Sequence, residues 1–150
     1  MMSLKIILLL IPFIIIVYFA GLSFSTRHSP FKAEPKRTLS DCPGTPNCVF
    51  SEASNPGKKI EPFKLSADTP QADWARLIAI IQQQGGEIHF HDDQYCHAVF
   101  TSTLFRFKDD LELLRDASEV QVRSASRAGK SDLGVNRKRV EAIRAEYTKQ

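Results

Sequence analysis

The longest apolar run stands at the start of the chain. Residues 6–25 read IILLLIPFIIIVYFAGLSFS and carry no charge. A helix of that length spans about 30 Å, which is enough to cross the core of a bilayer. Backbone groups in lipid must be hydrogen-bonded within their own segment, so a helix is the expected state. The pattern predicts an uncleaved transmembrane anchor, with a cleaved signal peptide as the alternative.

Composition divides the chain into three parts. Residues 1–25 are the predicted anchor or signal peptide. Residues 26–40 are a predicted linker, because Pro30, Pro35 and mixed charges interrupt any periodic apolar pattern. Residues 41–150 are predicted to form one soluble domain, which opens with the irregular loop DCPGTPNC.

Apolar positions in the predicted domain follow both the helical and the strand period. The clearest helix is TPQADWARLIAIIQQQGG, in which apolar residues recur at i, i+3, i+4 and i+7 between a Thr-Pro start and a Gly-Gly stop. A last helix starts near Asn136 and places Val140, Ile143 and Tyr147 on one face. The predicted strands are, in order, IEPFKLS, EIHFH, QYCHAVFTSTLFRF, LELLRD and EVQVRSAS.

This order of elements predicts an α+β fold. Consecutive strands with short connections form an antiparallel sheet. Both helices carry an apolar stripe, which they bury most simply on one face of that sheet. The order strand–helix–four strands–helix is that of one half of the TATA-binding-protein fold, an architectural analogy that carries no function. The complete fold prediction is an N-terminal transmembrane helix followed by this α+β domain.

Charged side chains are concentrated in one segment of the chain. The formal net charge of +3 is too small to indicate a nucleic-acid partner, and none is expected. The densest polar stretch is RSASRAGKSDLGVNRKR, residues 123–139. Its Gly129-Lys130-Ser131 is similar to the end of a phosphate-binding loop. That motif needs a glycine where Ser124 stands and a helix directly afterwards, so a nucleotide loop is not expected.

The cations of this stretch need negative partners. Arg123 and Arg127 are four apart on a predicted strand and therefore share a face. Arg137 and Arg139 fall in the first turn of a helix, where each cation costs roughly 0.3–1 kcal/mol unless something offsets it. The compensating negative charge comes from one of two sources. It is supplied within the domain, by the acid partners Asp109, Asp110 and Asp132 or by Glu141, or it is supplied by an external anion. The predicted anion- or partner-binding residues are Arg123, Ser126, Arg127, Asn136, Arg137 and Arg139.

Two of the three cysteines lie close together. Cys42 and Cys48 flank a proline-rich turn. In an oxidising compartment they are predicted to form a disulfide, worth roughly 2–2.5 kcal/mol. Free cytoplasmic thiols are the alternative, and a zinc site would need two further ligands.

The predicted location rests on two conflicting signals. Lys5 precedes the apolar run, whereas Arg27, Lys32, Lys36 and Arg37 follow it. The positive-inside rule would then place the domain in the cytoplasm. The cysteine pair favours the opposite side. We expect a single-pass membrane protein with its domain on the periplasmic or extracytoplasmic side.

A third group of residues has metal-binding chemistry. If Asp92-Asp93 is a two-residue hairpin turn, His89 faces Cys96, and His91 lies on the same sheet face. Such a set could hold a metal ion, but a slip of one residue in the register separates its members. Strand histidines are more often surface residues, so no metal and no cofactor are expected.

Three stretches together resemble the family known as domain of unknown function 1499. They are CPGTPNCV, YCHAVFTSTLFRFKDDLELL and VRSASRAGKSDLGVNRKRVE, in the order in which the family has them. The resemblance implies a small domain that is often exported or attached to a membrane. It implies no substrate and no catalytic residue, because the family has no established activity. Phe50 departs from the small polar residue that is common in the family.

Three hypotheses on function follow. The first is a non-enzymatic, membrane-anchored domain that binds an anionic small molecule, a lipid headgroup or a protein partner at the cell envelope. The second is a metal-dependent hydrolase or other enzyme that uses Asp109, Asp110, His97 or the His89–Cys96 group. The third is a structural subunit of a membrane assembly, in which the arginines bind only the domain's own acids.

Overall fold

The computed structural model describes residues 4–30 and 34–149. Lys32 of the predicted linker, residues 1–3 of the predicted anchor and Gln150 lie outside the described residues. The elements are, in chain order, α1 (Leu4–Ser25), β1 (Cys48–Phe50), a 3₁₀ turn (Pro56–Lys58), β2 (Phe63–Lys64), α2 (Pro70–Gln83), β3 (Glu87–His91), β4 (Tyr95–Thr101), β5 (Lys108–Arg115), β6 (Glu119–Ser126) and α3 (Val135–Tyr147).

The strands form one antiparallel sheet in the order β1-β6-β5-β4-β3, and β2 also pairs with β6. The four strands from β3 to β6 follow one another through short connections, as their sequence predicts. β1 and β2 both lie along β6 but at different heights. Cys48 is opposite Ala125, and Phe63 is opposite Val120. β6 is therefore the strand that joins the early part of the domain to the late part.

One face of the sheet carries the apolar core. Because side chains alternate along a strand, every second residue of β4, β5 and β6 points to this face. The two helices α2 and α3 supply the opposing side chains, so the prediction of an antiparallel α+β domain with two packed helices is confirmed for this part of the chain. The buried cluster includes Leu77 and Ile81 from α2, Ala98, Leu111 and Val122 from the sheet, and Val140 and Ile143 from α3.

The start and end of α2 follow from local chemistry. Pro70 occupies its first turn, as predicted, while the Thr69 side chain forms no capping hydrogen bond. Gly85, just after the helix, has a φ of +90°, a conformation that residues with a Cβ rarely adopt. Gly86 follows, and its backbone lies against Ile81 and Phe100 without room for a side chain. The Gly-Gly stop therefore turns the chain and lets β3 approach the helix closely.

The prediction of a transmembrane helix is wrong. Across residues 4–30 and 34–149, the structure contains no helix that is both long enough and apolar enough to cross a membrane. The last turns of α1 pack on the folded domain instead. The Phe19 ring stacks on Phe105 at 4.7 Å between centroids, and Ser23 and Thr26 are buried.

Two smaller expectations also need correction. The loop DCPGTPNC was predicted to be irregular throughout, but its last residue, Cys48, begins β1, which has no counterpart in the predicted order of elements. The long predicted strand from Gln94 to Phe107 ends at Thr101, and the chain then turns back to β5. The predicted division into an anchor, a linker and a domain stays a prediction.

We predict that Gly86→Ala destabilises the domain. A Cβ at this position would lie 2.6 Å from Cγ2 of Ile81 and 2.9 Å from Cζ of Phe100. Overpacking of this kind costs about 1–3 kcal/mol. Urea unfolding measures the loss. The matched control is Gly44→Ala, whose Cβ would meet no atom within 4 Å, and an equal effect of both substitutions would contradict the steric argument.

Candidate functional site

The second face of the sheet carries a buried polar layer in place of apolar side chains. Strand alternation points Tyr95 and His97 of β4, Asp110 and Glu112 of β5, and Arg123 of β6 away from the apolar core. Arg127 joins them from the first position after β6. These side chains are all largely buried, with His97 at 2% and Glu112 at 0% relative exposure. Buried charges need partners, and the layer supplies them in two groups.

Asp110 is the centre of the first group. Its carboxylate accepts two hydrogen bonds from Arg127, at 2.9 Å from Nε and 2.7 Å from Nη2, and lies 2.8 Å from Nε2 of His97. Burial alone would raise the pKa of Asp110, but the hydrogen bonds of His97 and Arg127 and the charge of Arg127 hold this pKa below its ordinary value. Asp110 is therefore ionised at neutral pH.

Glu112 is the centre of the second group. It lies directly opposite Arg123 in the sheet, and Nη1 of Arg123 donates a hydrogen bond to its carboxylate at 3.0 Å. Lys36 donates at 2.6 Å, and the hydroxyl of Tyr95 donates at 2.9 Å. Burial and the neighbouring Glu112 charge raise the pKa of Tyr95, so this hydroxyl stays protonated and keeps its role as a donor.

The end of α1 and the segment after it cover this polar face. Nη1 of Arg127 donates to the backbone oxygen of Thr26 at 3.0 Å, and Thr26 is only 1% exposed. Lys36 reaches the layer through Glu112 and also lies 5.8 Å above the Tyr95 ring. Part of the predicted linker is therefore held on the sheet by charged contacts.

A cavity of about 360 Å³ lies between this segment and the polar face. Its walls are Ser25, His28, Pro30, Asp110, Arg123, Ala125, Ser126 and Arg127. Three of the predicted anion-binding residues, Arg123, Ser126 and Arg127, thus line one cavity. Nε of Arg123 is buried and has no hydrogen-bond partner among the described residues. Such an orphaned donor is uncommon in folded proteins, and it offers a hydrogen bond to an acceptor oxygen.

Two of the other predicted site residues lie at the opposite face of the sheet. Arg139 donates to Asp109 at 2.6 Å and to Asn136 at 2.6 Å, and its guanidinium stacks 4.6 Å above the Phe100 ring. Asn136 is fully buried and donates to Asn47 and Ser126. This network braces the start of α3 against β6. The adjacent residues Asp109 and Asp110 therefore form ion pairs with arginines on opposite faces of the sheet.

The start of α3 already has an internal anion. The Asp132 carboxylate accepts hydrogen bonds from the backbone nitrogens of Gly134, at 3.0 Å, and Asn136, at 2.8 Å. These are donors that a helix N-terminus offers to an anion. Arg137 lies apart from the other arginines and donates to the Gly57 oxygen at 3.0 Å, beside a separate cavity of about 250 Å³ that Lys58 and Lys138 also line.

The predicted disulfide is confirmed. Cys42 and Cys48 are bonded, with their Cα atoms 5.7 Å apart. The closed loop positions Asn47, whose backbone oxygen accepts from Ser126 N at 3.0 Å and whose side chain donates to the Gly129 oxygen at 2.7 Å. The disulfide thus supports the connection between β6 and α3.

The histidine and cysteine group is not brought together as expected. The hairpin turn lies one residue later than predicted, with the Asp92 nitrogen donating to the Tyr95 oxygen at 2.9 Å, so His91 lies opposite Cys96 and Phe90 lies opposite His97. A bulge between Ile88 and Phe90 then takes His89 out of the regular register. The His89 ring contacts His97 instead, at 5.6 Å. Cys96 is buried, and burial raises the pKa of its thiol to about 12. Within residues 4–30 and 34–149, no group of three or more His, Cys, Asp or Glu side chains is placed to hold a metal ion.

His97 and Asp110, which the enzyme hypothesis names, do form a hydrogen-bonded pair. An imidazole fixed by a carboxylate is a common unit in general acid–base catalysis. Here the imidazole side chain is 2% exposed and its carboxylate partner 4%, and Nε2 of the ring is already hydrogen-bonded to Asp110, which Arg127 also binds. This arrangement favours a structural role for the pair.

Sequence analysis missed three members of the polar layer. Tyr95, Glu112 and Lys36 were not among the predicted site residues. Glu112 had a signal, because it stands two positions from Asp110 on a strand and so shares its face. Lys36 had no such signal, because its position in the layer depends on how the segment after α1 crosses the sheet.

Comparisons with known proteins identify the domain without assigning it an activity. A family model described as a protein of unknown function (DUF1499) matches residues 38–147. No curated protein and no solved structure matches the chain.

We predict that Asp110 contributes stability that is lost in acid. Its pKa in the folded protein lies below the ordinary value of 3.8. The contribution is therefore fully present above about pH 4 and disappears as the pH falls through the lowered pKa. Asp110→Asn should cost about 3–5 kcal/mol at pH 7, because it leaves Arg127 buried beside a neutral partner.

Urea unfolding of both proteins at a series of pH values tests this. The gap in the free energy of unfolding between wild type and Asp110→Asn should narrow as the pH falls from 6 to 2.5. Asp93→Asn, which changes an exposed carboxylate, is the control. A gap that stays constant over this range would show that the Asp110 charge does not act as described.

Proposed function

We propose a binding function for this chain, which belongs to the DUF1499 family of proteins of unknown function. In this proposal the domain binds a small molecule that carries a carboxylate or phosphate group. The group enters the cavity between the segment after α1 and the polar face of the sheet. It accepts hydrogen bonds from Arg123 and Arg127, with Ser25 and His28 on the opposite wall.

The unpartnered Nε of Arg123 is the observation that carries this proposal. Arg123 uses Nη1 for Glu112, which leaves Nε directed to no acceptor in the described part of the chain. A buried donor without an acceptor costs about 1–3 kcal/mol, and more when the group is charged. An anionic oxygen at Nε would recover that free energy and form a charge-assisted hydrogen bond.

The balance of charge supports the same conclusion. In the polar layer, the cations Lys36, Arg123 and Arg127 meet the carboxylates of Asp110 and Glu112. A layer with one more cation than carboxylates favours an added negative charge over an added positive one. The carboxylate of Asp110 also lines the cavity, but it is already satisfied by Arg127 and His97.

Phosphate and acetate titrations of the full chain test the proposal, with chloride at equal ionic strength as the salt control. The Nε–H resonance of Arg123 in a ¹⁵N correlation spectrum should shift and saturate, and the melting temperature should rise with anion concentration. Arg123→Lys keeps the charge but removes Nε, and it should weaken binding at least about tenfold, equivalent to about 1.4 kcal/mol.

The matched control is Arg137→Gln, which lies beside the separate cavity at the start of α3. It should leave the affinity within about twofold of wild type. Loss of binding in Arg137→Gln with full binding in Arg123→Lys would move the site to α3. Absence of any saturable shift at Arg123 would overturn the proposal and favour a water molecule as the missing partner.

We also propose that the domain works in an oxidising, extracytoplasmic compartment. The disulfide between Cys42 and Cys48 supports this, because such bonds persist outside the reducing cytoplasm.

Maleimide labelling of acid-trapped, denatured protein from producing cells tests whether the domain works in an oxidising compartment. Cys96 alone should label before reduction, and all three cysteines should label afterwards. In the control variant Cys42→Ser, Cys48 should label without reduction. Three reactive thiols in unreduced wild type would contradict the proposal.

A further inference from the structure

A second cavity, of about 320 Å³, lies between the last turns of α1 and the connection from β6 to α3. It has a mainly apolar wall. Tyr18, Phe19 and Leu22 contribute from α1, and Phe107 and Val135 contribute from the domain. A cavity of this size and composition is typical of sites that hold small molecules.

The aromatic side of this cavity is well ordered by its own contacts. The Phe19 ring stacks on Phe105 at 4.7 Å and meets the Phe107 ring edge-on at 6.2 Å. Phe105 and Phe107 are themselves 5.9 Å apart. Three rings in mutual contact form a rigid apolar surface, on which a ring or an acyl chain can pack with little loss of side-chain freedom.

The other end of the cavity is polar and carries a cation. Lys130, Ser131 and Ser126 line it. Lys130 forms no ion pair with any described side chain, whereas the nearby carboxylate of Asp109 is held by Arg139 at 2.6 Å. The carboxylate of Asp132 also lines the cavity, and it accepts hydrogen bonds from the backbone nitrogens of Gly134 and Asn136. An anionic head beside Lys130 would therefore meet an unpaired ammonium group, while both carboxylates of the lining already have hydrogen-bond partners.

The loops beside the cavity carry two further unusual features. Leu133 has a φ of +54° and is 86% exposed, and Arg106, in the loop that leads to Phe107, has a φ of +59°. Residues with a Cβ rarely adopt this conformation, and strained backbone of this kind concentrates at binding sites. Leu104, in the same loop as Arg106, is 80% exposed.

We infer that this cavity is a binding site for a small amphipathic anion. The ligand would have an aromatic or acyl body against Phe19 and Phe107, which Phe105 supports from outside the lining, and a carboxylate or sulfonate head beside Lys130. This site is separate from the arginine cavity of the proposed function. The two linings share only Ser126, and neither Arg123 nor Arg127 lines the second cavity, so either proposal can fail without the other.

Fluorescence titration of the full chain with 8-anilinonaphthalene-1-sulfonate tests the inference, because this probe has an apolar body and a sulfonate head. One saturable site per chain is expected. Val135→Trp fills the cavity and should weaken the probe's affinity at least about tenfold. Lys130→Glu changes an exposed side chain, leaves the packing intact, and should weaken the affinity by a similar factor because it reverses the charge at the head.

Two controls separate this site from other surfaces. Phe13→Ser removes an apolar side chain that is 62% exposed on α1, outside the cavity lining, and should leave the affinity unchanged. Arg123→Lys should also leave it unchanged. Full affinity in Val135→Trp would overturn the cavity as the site, and full affinity in Lys130→Glu would overturn the anionic head. Loss of affinity in Phe13→Ser alone would assign the probe to the outer surface of α1.

Discussion

The ion pair between Asp110 and Arg127 holds together parts of the chain that are far apart in sequence. Asp110 lies in β5, Arg127 follows β6, and Arg127 in turn donates to the backbone of Thr26. Removing these charges from water is unfavourable, and the pair is stable because its geometry is bidentate and His97 supplies a further hydrogen bond. This contact fixes the segment after α1 over the sheet, so the arginine cavity depends on it for one wall.

The sheet has two faces that are closed by different physical means. On one face, α2 and α3 bury apolar side chains, which gives most of the hydrophobic stabilisation. On the other face, the carboxylates need hydrogen-bond donors and the arginines need acceptors. The turn after α1 supplies the backbone oxygen of Thr26 to Arg127, whereas the backbone of a helix interior is already paired. Both proposed binding cavities lie at the end of the sheet beside α1, where the apolar face and the polar face meet.

The strands β3 to β6 and the helices α2 and α3 could be predicted because their apolar residues repeat with the period of each element. The transmembrane helix was predicted wrongly, because an apolar composition does not show that the end of the segment packs on the domain through Phe19 and Ser23. The expected pairing of His89 with Cys96 failed for a related reason. The turn lies one residue later than expected, which pairs Cys96 with His91, and a bulge between Ile88 and Phe90 displaces His89.

The sequence by itself determined which side chains share a strand face, and so placed Arg123 and Arg127 together. It also indicated the cysteine pair, because Cys42 and Cys48 are only six positions apart across a proline-rich turn, and the structure shows the bond. Only the tertiary structure decided which charged side chains pair with each other. Asp109 forms an ion pair with Arg139, whereas its neighbour Asp110 forms one with Arg127. Lys36, which is far away in the sequence, forms an ion pair with Glu112. Local periodicity fixes the direction of a side chain, whereas its partner depends on which segments pack together.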